Sequence, residues 1–188
     1  MWRGLEYIIV KNLNKLKVYL AGNIQNSEDS FLWREDITKT LEEFGVTALN
    51  PRVNCFLNQV SEDDVTVQNL KKDIKDKKYD QVHEYVQQII RRDLRMVDVA
   101  DFLIVNLEPS MPTYGTIHEI IMASIQRKPI LFRIDKKQEF PVWLFGLVDH
   151  KLIFQTWKEI KEFLQYVNDC DINELDNKYW KIFREDFR

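Results

Sequence analysis

The side chains best suited to chemistry in this sequence are Glu119, Asp93 and Tyr19. Glu119 lies in PTYGTIHEIIMASIQRKP, which reads as a loop, a glycine turn and then a helix. Thr116 takes the N-cap place and Glu119 follows three residues on, the capping-box spacing. A carboxylate in the first turn of a helix is favoured by the helix dipole, so it stays ionised, as a nucleophile must. The same spacing serves a glutamate that only caps its own helix, and the two roles are not exclusive.

Asp93 is the second candidate. In VHEYVQQIIRRDLRMVDVA, the positions Val82, Val86, Ile90 (or Ile89), Asp93 and Val97 fall along one helical stripe. An acid in an apolar stripe is uncommon, because an unpaired buried carboxylate is costly. Desolvation raises the pKa of such a group and suits it to donate a proton. The other reading is that Asp93 caps a break in this helix or pairs with Arg91, Arg92 or Arg95. Tyr19 precedes Gly22 by three residues on an apolar segment. Strand alternation puts Lys17, Tyr19 and Ala21 on one face and Val18 and Leu20 on the other. Its phenol can hydrogen-bond a carboxylate at the carboxyl end of that strand, although a core tyrosine with no further role shows the same pattern.

Other motifs fail. The turn Gly22-Asn23-Ile24 is not GxGxxG, and no GxxxxGK[ST] phosphate loop occurs. His118-Glu119 opens like HExxH, but Met122 stands at the second histidine position, and Gln87 breaks His83-Glu84 in the same way. His150 beside Asp149 reads as a solvated pair. No serine sits in a GxSxG elbow. The two cysteines, Cys55 and Cys170, form no CxxC pair, as expected for reduced thiols. Neither a metal nor a cofactor is expected.

These residues need a scaffold, and the pattern around them supplies one. KVYLAG (17–22), VTALNP (46–51), DFLIVNL (101–107), PILFRI (129–134) and KLIFQT (151–156) are strand-length apolar segments bounded by turn chemistry or charge. The third is apolar almost throughout, as a strand buried on both faces should be. Helical stretches lie between them, over 28–44, 82–99, 116–126 and 157–168. The first brings Phe31, Ile37, Leu41 and Phe44 close to one face, with Gly45 as its stop. Strands alternating with helices predict an α/β domain of Rossmann-like or flavodoxin-like type, a doubly wound five-stranded parallel sheet of order 2-1-3-4-5. That order puts the ligand crevice at the carboxyl ends of the first and third strands, built by Gly22–Gln25 and the loop at 107–116.

The 188 residues suit one domain spanning 1–188. Residues 1–16 add an edge strand or arm, 53–81 form a polar insertion with a helix that caps the crevice, and 171–188 form an aromatic-rich helical tail. With 45% hydrophobic and 30% charged residues the chain is globular, and its net charge of -3 argues against gripping a nucleic acid polymer. The apolar runs, such as YIIV at 7–10, fall far short of the roughly 20 residues that span a bilayer. Arg3 and Glu6 flank a start unlike a signal peptide, so a cytoplasmic protein acting on a small molecule is expected.

The ordered set KVYLAGNI, a helix with Trp33-Arg34, LNP, RDLRMVDVADFLIVNL, YGTIHEI and then KPI resembles the nucleoside 2-deoxyribosyltransferases and their relatives, the 2'-deoxynucleoside 5'-phosphate N-hydrolases. The likeness spans about residues 16–134 and is interrupted at 53–81. It implies that Glu119, with Gly115 four residues before it, is the glycosyl nucleophile. It implies that Asp93, in an Arg-Asp-Leu context, assists the leaving base, and that Tyr19 holds the nucleophile. Gly22, Asn23, Ile24, Thr113, Gly115 and Thr116 are then the substrate-binding candidates.

One position departs from the family. Six residues before the nucleophile typical transferases carry an aspartate, and this sequence has Thr113. The phosphate-accepting hydrolases carry a small hydroxyl residue there, which tolerates a phosphate that a carboxylate would repel. Those hydrolases often have an arginine three residues after the first-strand glycine, where this chain has Gln25. The signals oppose each other on nucleoside against 5'-monophosphate. The resemblance also implies a homodimer or larger homo-oligomer, because the family completes its site from a neighbouring subunit. The alternative is a catalytically inactive nucleotide-binding module of the same fold, a sensor or sponge. A structural or interaction role centred on the insertion and tail is a third reading.

Overall fold

The computed structural model describes residues 11–24, 29–53, 60, 63–108, 114–175 and 180. The expectations for Gln25, Cys55 and Thr113, for the Phe31 side chain, and for residues 1–10, 176–179 and 181–188 fall outside them.

The elements follow in the order β1 (Lys17–Gly22), α1 (Asp29–Glu43), β2 (Thr47–Leu49), α2 (Asp64–Lys75), α3 (Tyr79–Val99), β3 (Phe102–Leu107), α4 (Tyr114–Ile125), β4 (Ile130–Ile134), β5 (Ile153–Phe154) and α5 (Trp157–Asp169). The strands form one sheet of order β2-β1-β3-β4-β5, with every neighbouring pair parallel. This is the doubly wound α/β architecture expected from the alternation of segments.

Alternation along the strands divides the core in two. Val18 and Leu20 join Phe102 and Ile104 on the face covered by α1 and α5, against Ile37, Leu41, Ile160 and Leu164. Tyr19 and Ala21 join Leu103 and Val105 on the face covered by α3 and α4, against Met96, Val97, Ile120 and Ala123. Residues 102–105 of β3 are fully buried, which explains why that segment is apolar on both faces. Each such side chain contributes about 1.5–3 kcal/mol through its burial.

Local rules end the elements. Gly45 stops α1 in a left-handed conformation (φ 72°), and a Cβ there would collide with the Asn14 side chain. Residues 11–16 form a turn rather than an edge strand. Asn12 there donates its side-chain amide to the carbonyls of Val167 and Cys170, 2.8 Å each, satisfying the open end of α5. The helix expected within 53–81 is α2, whose N-cap Asp63 accepts from the Thr66 amide at 2.7 Å.

The expected capping box at Thr116 is not formed. α4 begins two residues earlier, at Tyr114, which leaves Thr116 buried inside the helix and Glu119 in its second turn. The Glu119 carboxylate accepts a hydrogen bond from Tyr19 on the sheet face beneath α4. A capping box does form on α5, where Thr156 and Glu159 exchange side-chain and backbone hydrogen bonds. Two smaller differences are that α3 starts at Tyr79, a turn before the expected 82, and that β5 keeps only Ile153–Phe154 of the segment 151–156.

Candidate active site

The site is built where β1 passes under α3 and α4. Tyr19 points to that face because it alternates with Val18 and Leu20, and it is completely buried. Its phenol donates to Glu119 Oε1 at 2.7 Å. Burial raises the Tyr19 pKa well above its ordinary value, and the negative charges of Glu119 and Asp93 push it further up. The phenol therefore remains a donor at any physiological pH.

Asp93 occupies the inward stripe of α3 with Val82, Ile89 and Val97, while Ile90 is 41% exposed, so Ile89 is the inward member of that pair. The carboxylate of Asp93 accepts from Arg92 Nε at 2.8 Å, and both side chains are nine-tenths buried. Arg92 also donates through Nη1 to the Val60 carbonyl at 2.8 Å. Of the arginines that sequence left as partners, the structure selects Arg92. Burial raises the Asp93 pKa, and the Arg92 guanidinium opposes the rise without cancelling it.

Asp93 and Glu119 line one cavity of about 620 Å³, together with Gly115 at the start of α4. Its remaining described walls come from α2, α3 and the first two turns of α4. The crevice was expected from Gly22–Gln25 and the 107–116 loop, but neither Gly22, Asn23, Ile24 nor Thr116 is in this wall. Tyr114 and Gly115 of the 107–116 loop do line it, and α3 and α2, from the inserted segment 53–81, supply the other side chains.

Sequence reasoning attached no role to Arg34, although it falls in the buried stripe of α1 with Ile37 and Leu41 three and seven residues on. Arg34 is fully buried and donates to the carbonyls of Leu20 (3.3 Å), Gly22 (2.9 Å) and Asn23 (3.2 Å), with its guanidinium 4.4 Å from the Trp33 ring centroid. Arg52 donates to the Ile24 carbonyl at 2.8 Å. The turn after β1 is thus held by two arginines through its carbonyls. Gly22 is required in it. Its φ is 147°, and a Cβ would sit 2.8 Å from the Asn106 carbonyl oxygen on β3.

Two carboxyl groups lining one cavity, one held by a buried phenol and the other with a raised pKa, equip it for acid-assisted nucleophilic substitution. Among the described residues, no cluster of three or more His, Cys, Asp or Glu could hold a metal ion, and no helix is long and apolar enough to cross a membrane. The fold and the site define a doubly wound α/β protein with a two-carboxylate centre beside its first strand.

The model of the nucleoside 2-deoxyribosyltransferase family matches residues 18–173, and the chain belongs to that family. Among solved structures, it is similar to the 2-deoxyribosyltransferase of Bacillus psychrosaccharolyticus, at 16% identity over 84% of this chain and 93% of that one, with a TM-score of 0.57. It is also similar to a conserved protein from Enterococcus faecalis V583, at 15% identity over 80% and 98%, with a TM-score of 0.53. These two likenesses show the shared fold. The CMP N-glycosidase BcmB of Clostridium botulinum aligns at 20% identity over 79% and 97%, with a TM-score of 0.49. No curated protein sequence matches the chain.

Proposed function

We propose that this protein cleaves the N-glycosidic bond of a (deoxy)nucleoside or its 5'-monophosphate and passes the sugar to another base or to water. The observation that carries the reading is the buried hydrogen bond from Tyr19 to Glu119, made on the wall of a cavity that also holds Asp93. Family membership supplies the substrate class.

The Glu119 carboxylate attacks C1' of the sugar through an oxocarbenium-like transition state. The C1'–N bond breaks, its electron pair passes to the base nitrogen, and Asp93 or a water it orients delivers the proton. The product is a glycosyl ester on Glu119. In the second half, a base nitrogen or a water oxygen bonds to C1', the ester C–O bond breaks, and the nucleophile's proton returns to Asp93. Tyr19 holds the Glu119 carboxylate in position through its hydrogen bond to Oε1. Gly115, Thr116 and the turn Gly22–Ile24 belong to the substrate-binding region in this reading, and Thr113 is assigned to it from the sequence alone.

A catalytically inactive nucleotide binder is less well supported. A pure binder gains nothing from a buried phenol held on one carboxylate with a second carboxylate in the same cavity. Incubation with a panel of deoxynucleosides and deoxynucleotides, with and without a free acceptor base, tests the reading. Free base released without acceptor indicates hydrolysis, and exchange only with acceptor indicates transfer. No turnover of any member, or a Glu119→Ala variant as active as the wild type, overturns it.

Self-association is part of the same proposal. α4 carries no lysine or arginine, and Ile125 at its end is 69% exposed. An exposed apolar side chain on a helix without basic residues suits a covered surface, and a second copy of the chain is the partner we assign to it.

A further inference from the structure

Helix α2 has an apolar stripe, Val67, Leu70 and Ile74, yet none of its described side chains is buried. An amphipathic helix ordinarily spends such a stripe on the core. Here the stripe faces the cavity of about 620 Å³, and α3 lines it with Val86, Ile89 and Ile90. The same cavity continues to Asp93 and Glu119. Its other described titratable side chains besides that pair, Lys71, Tyr114 and His118, are exposed. Tyr114, His118 and Glu119 come from α4 and Asp93 from α3, while the described wall formed by α2 and the adjoining turns of α3 is aliphatic apart from the exposed Lys71. A sugar or an unsubstituted base placed against that wall leaves polar groups without partners, which is costly. An alkyl or aryl group does not, and it completes the packing that α2 lacks.

We propose that this chamber receives the leaving base of an N-glycoside whose base carries a bulky apolar substituent, with α2 lying over the substituent. The proposal rests on the glycosidic reading of Glu119 and names the substrate class of that site. The scissile bond lies at the carboxylate end, and the substituent extends from the base toward Leu70.

The test compares 2'-deoxyadenosine with N6-benzyl-2'-deoxyadenosine, each as nucleoside and 5'-monophosphate, by release of free base. A kcat/KM at least tenfold higher for the benzyl substrate is expected. Leu70→Asp, on a partly exposed helix, is expected to lower kcat/KM for the benzyl substrate at least tenfold more than for the parent. Calorimetric titration of the wild type with N6-benzyladenine and with adenine gives a readout independent of turnover and of the variant's folding, and the benzyl base is expected to bind at least tenfold more tightly. Turnover without preference for the benzyl group, and equal binding of the two bases, overturns the substrate assignment and leaves the glycosidic reading standing. An equal effect of Leu70→Asp on both substrates overturns the role of α2. No turnover of either substrate, with N6-benzyladenine still bound more tightly than adenine, overturns the glycosidic reading and leaves the apolar base chamber standing.

Discussion

The Tyr19 hydroxyl meets Glu119 Oε1 at 2.7 Å across 100 residues of sequence, inside the protein and on the same side of the sheet as Asp93. A hydrogen bond to a carboxylate is charge-assisted, and a buried one also fixes the orientation of the group. Removing it with Tyr19→Phe keeps the ring and its packing. A bond of this kind is worth about 1.5–3 kcal/mol. If it operates fully in the transition state, kcat falls roughly 10- to 150-fold. Steady-state kinetics check this, with KM expected to change much less than kcat.

In the proposed reaction, the ion pair of Arg92 with Asp93 is expected to set the pH range. Burial raises the Asp93 pKa and the Arg92 guanidinium lowers it. If the protonated carboxyl is the donor, activity falls as pH rises through that raised pKa, because the proton is then lost. Arg92→Gln removes the opposing charge and moves this alkaline limb to higher pH. A kcat–pH profile of the two proteins measures the displacement, and a shift to lower pH contradicts the assignment.

Gly22 lets β1 end against β3. Gly22→Ala places a methyl 2.8 Å from the Asn106 carbonyl at a φ of 147°. Strain of this kind costs ~1–3 kcal/mol. Thermal unfolding is expected to shift down by several degrees, since ~1 kcal/mol moves Tm by ~2–4 °C in a chain of this size.

Arg34 binds three backbone carbonyls with a planar fork. A lysine is a point donor on a flexible stem and does not span them. Arg34→Lys is expected to cost ~2–3 kcal/mol, read as the midpoint of denaturant unfolding, in spite of the preserved charge. A neutral outcome shows that the turn after β1 holds its shape without the fork.

The exposed face of α4 predicts a change of mass in solution. Ile125→Asp places a charge on a side chain that is 69% exposed, so it leaves the monomer fold intact. Light scattering coupled to gel filtration is expected to show an oligomer for the wild type and a smaller species for the variant.

Much of this protein follows from sequence because its rules are local. Period-two alternation assigned Tyr19 and Val18 to opposite faces of β1, and the all-apolar run at 102–105 marked β3 as the strand buried on both sides. The strand order followed from strands alternating with helices, and Tyr19, Asp93 and Glu119 were named from residue type and helical or strand position. What tertiary structure alone decided concerns the direction of side chains toward groups distant in the chain. Thr116 and Glu119 have capping-box spacing, but the box was lost because α4 starts at Tyr114 and a phenol on another strand takes the carboxylate. Arg91, Arg92 and Arg95 were equivalent partners for Asp93 until helix packing buried Arg92 beside it. Arg34 sat in an apolar stripe without an evident reason until the carbonyls after β1 came to meet it. A periodic pattern specifies which face of an element is inward. It does not specify what waits on the other side, because that depends on elements tens of residues away.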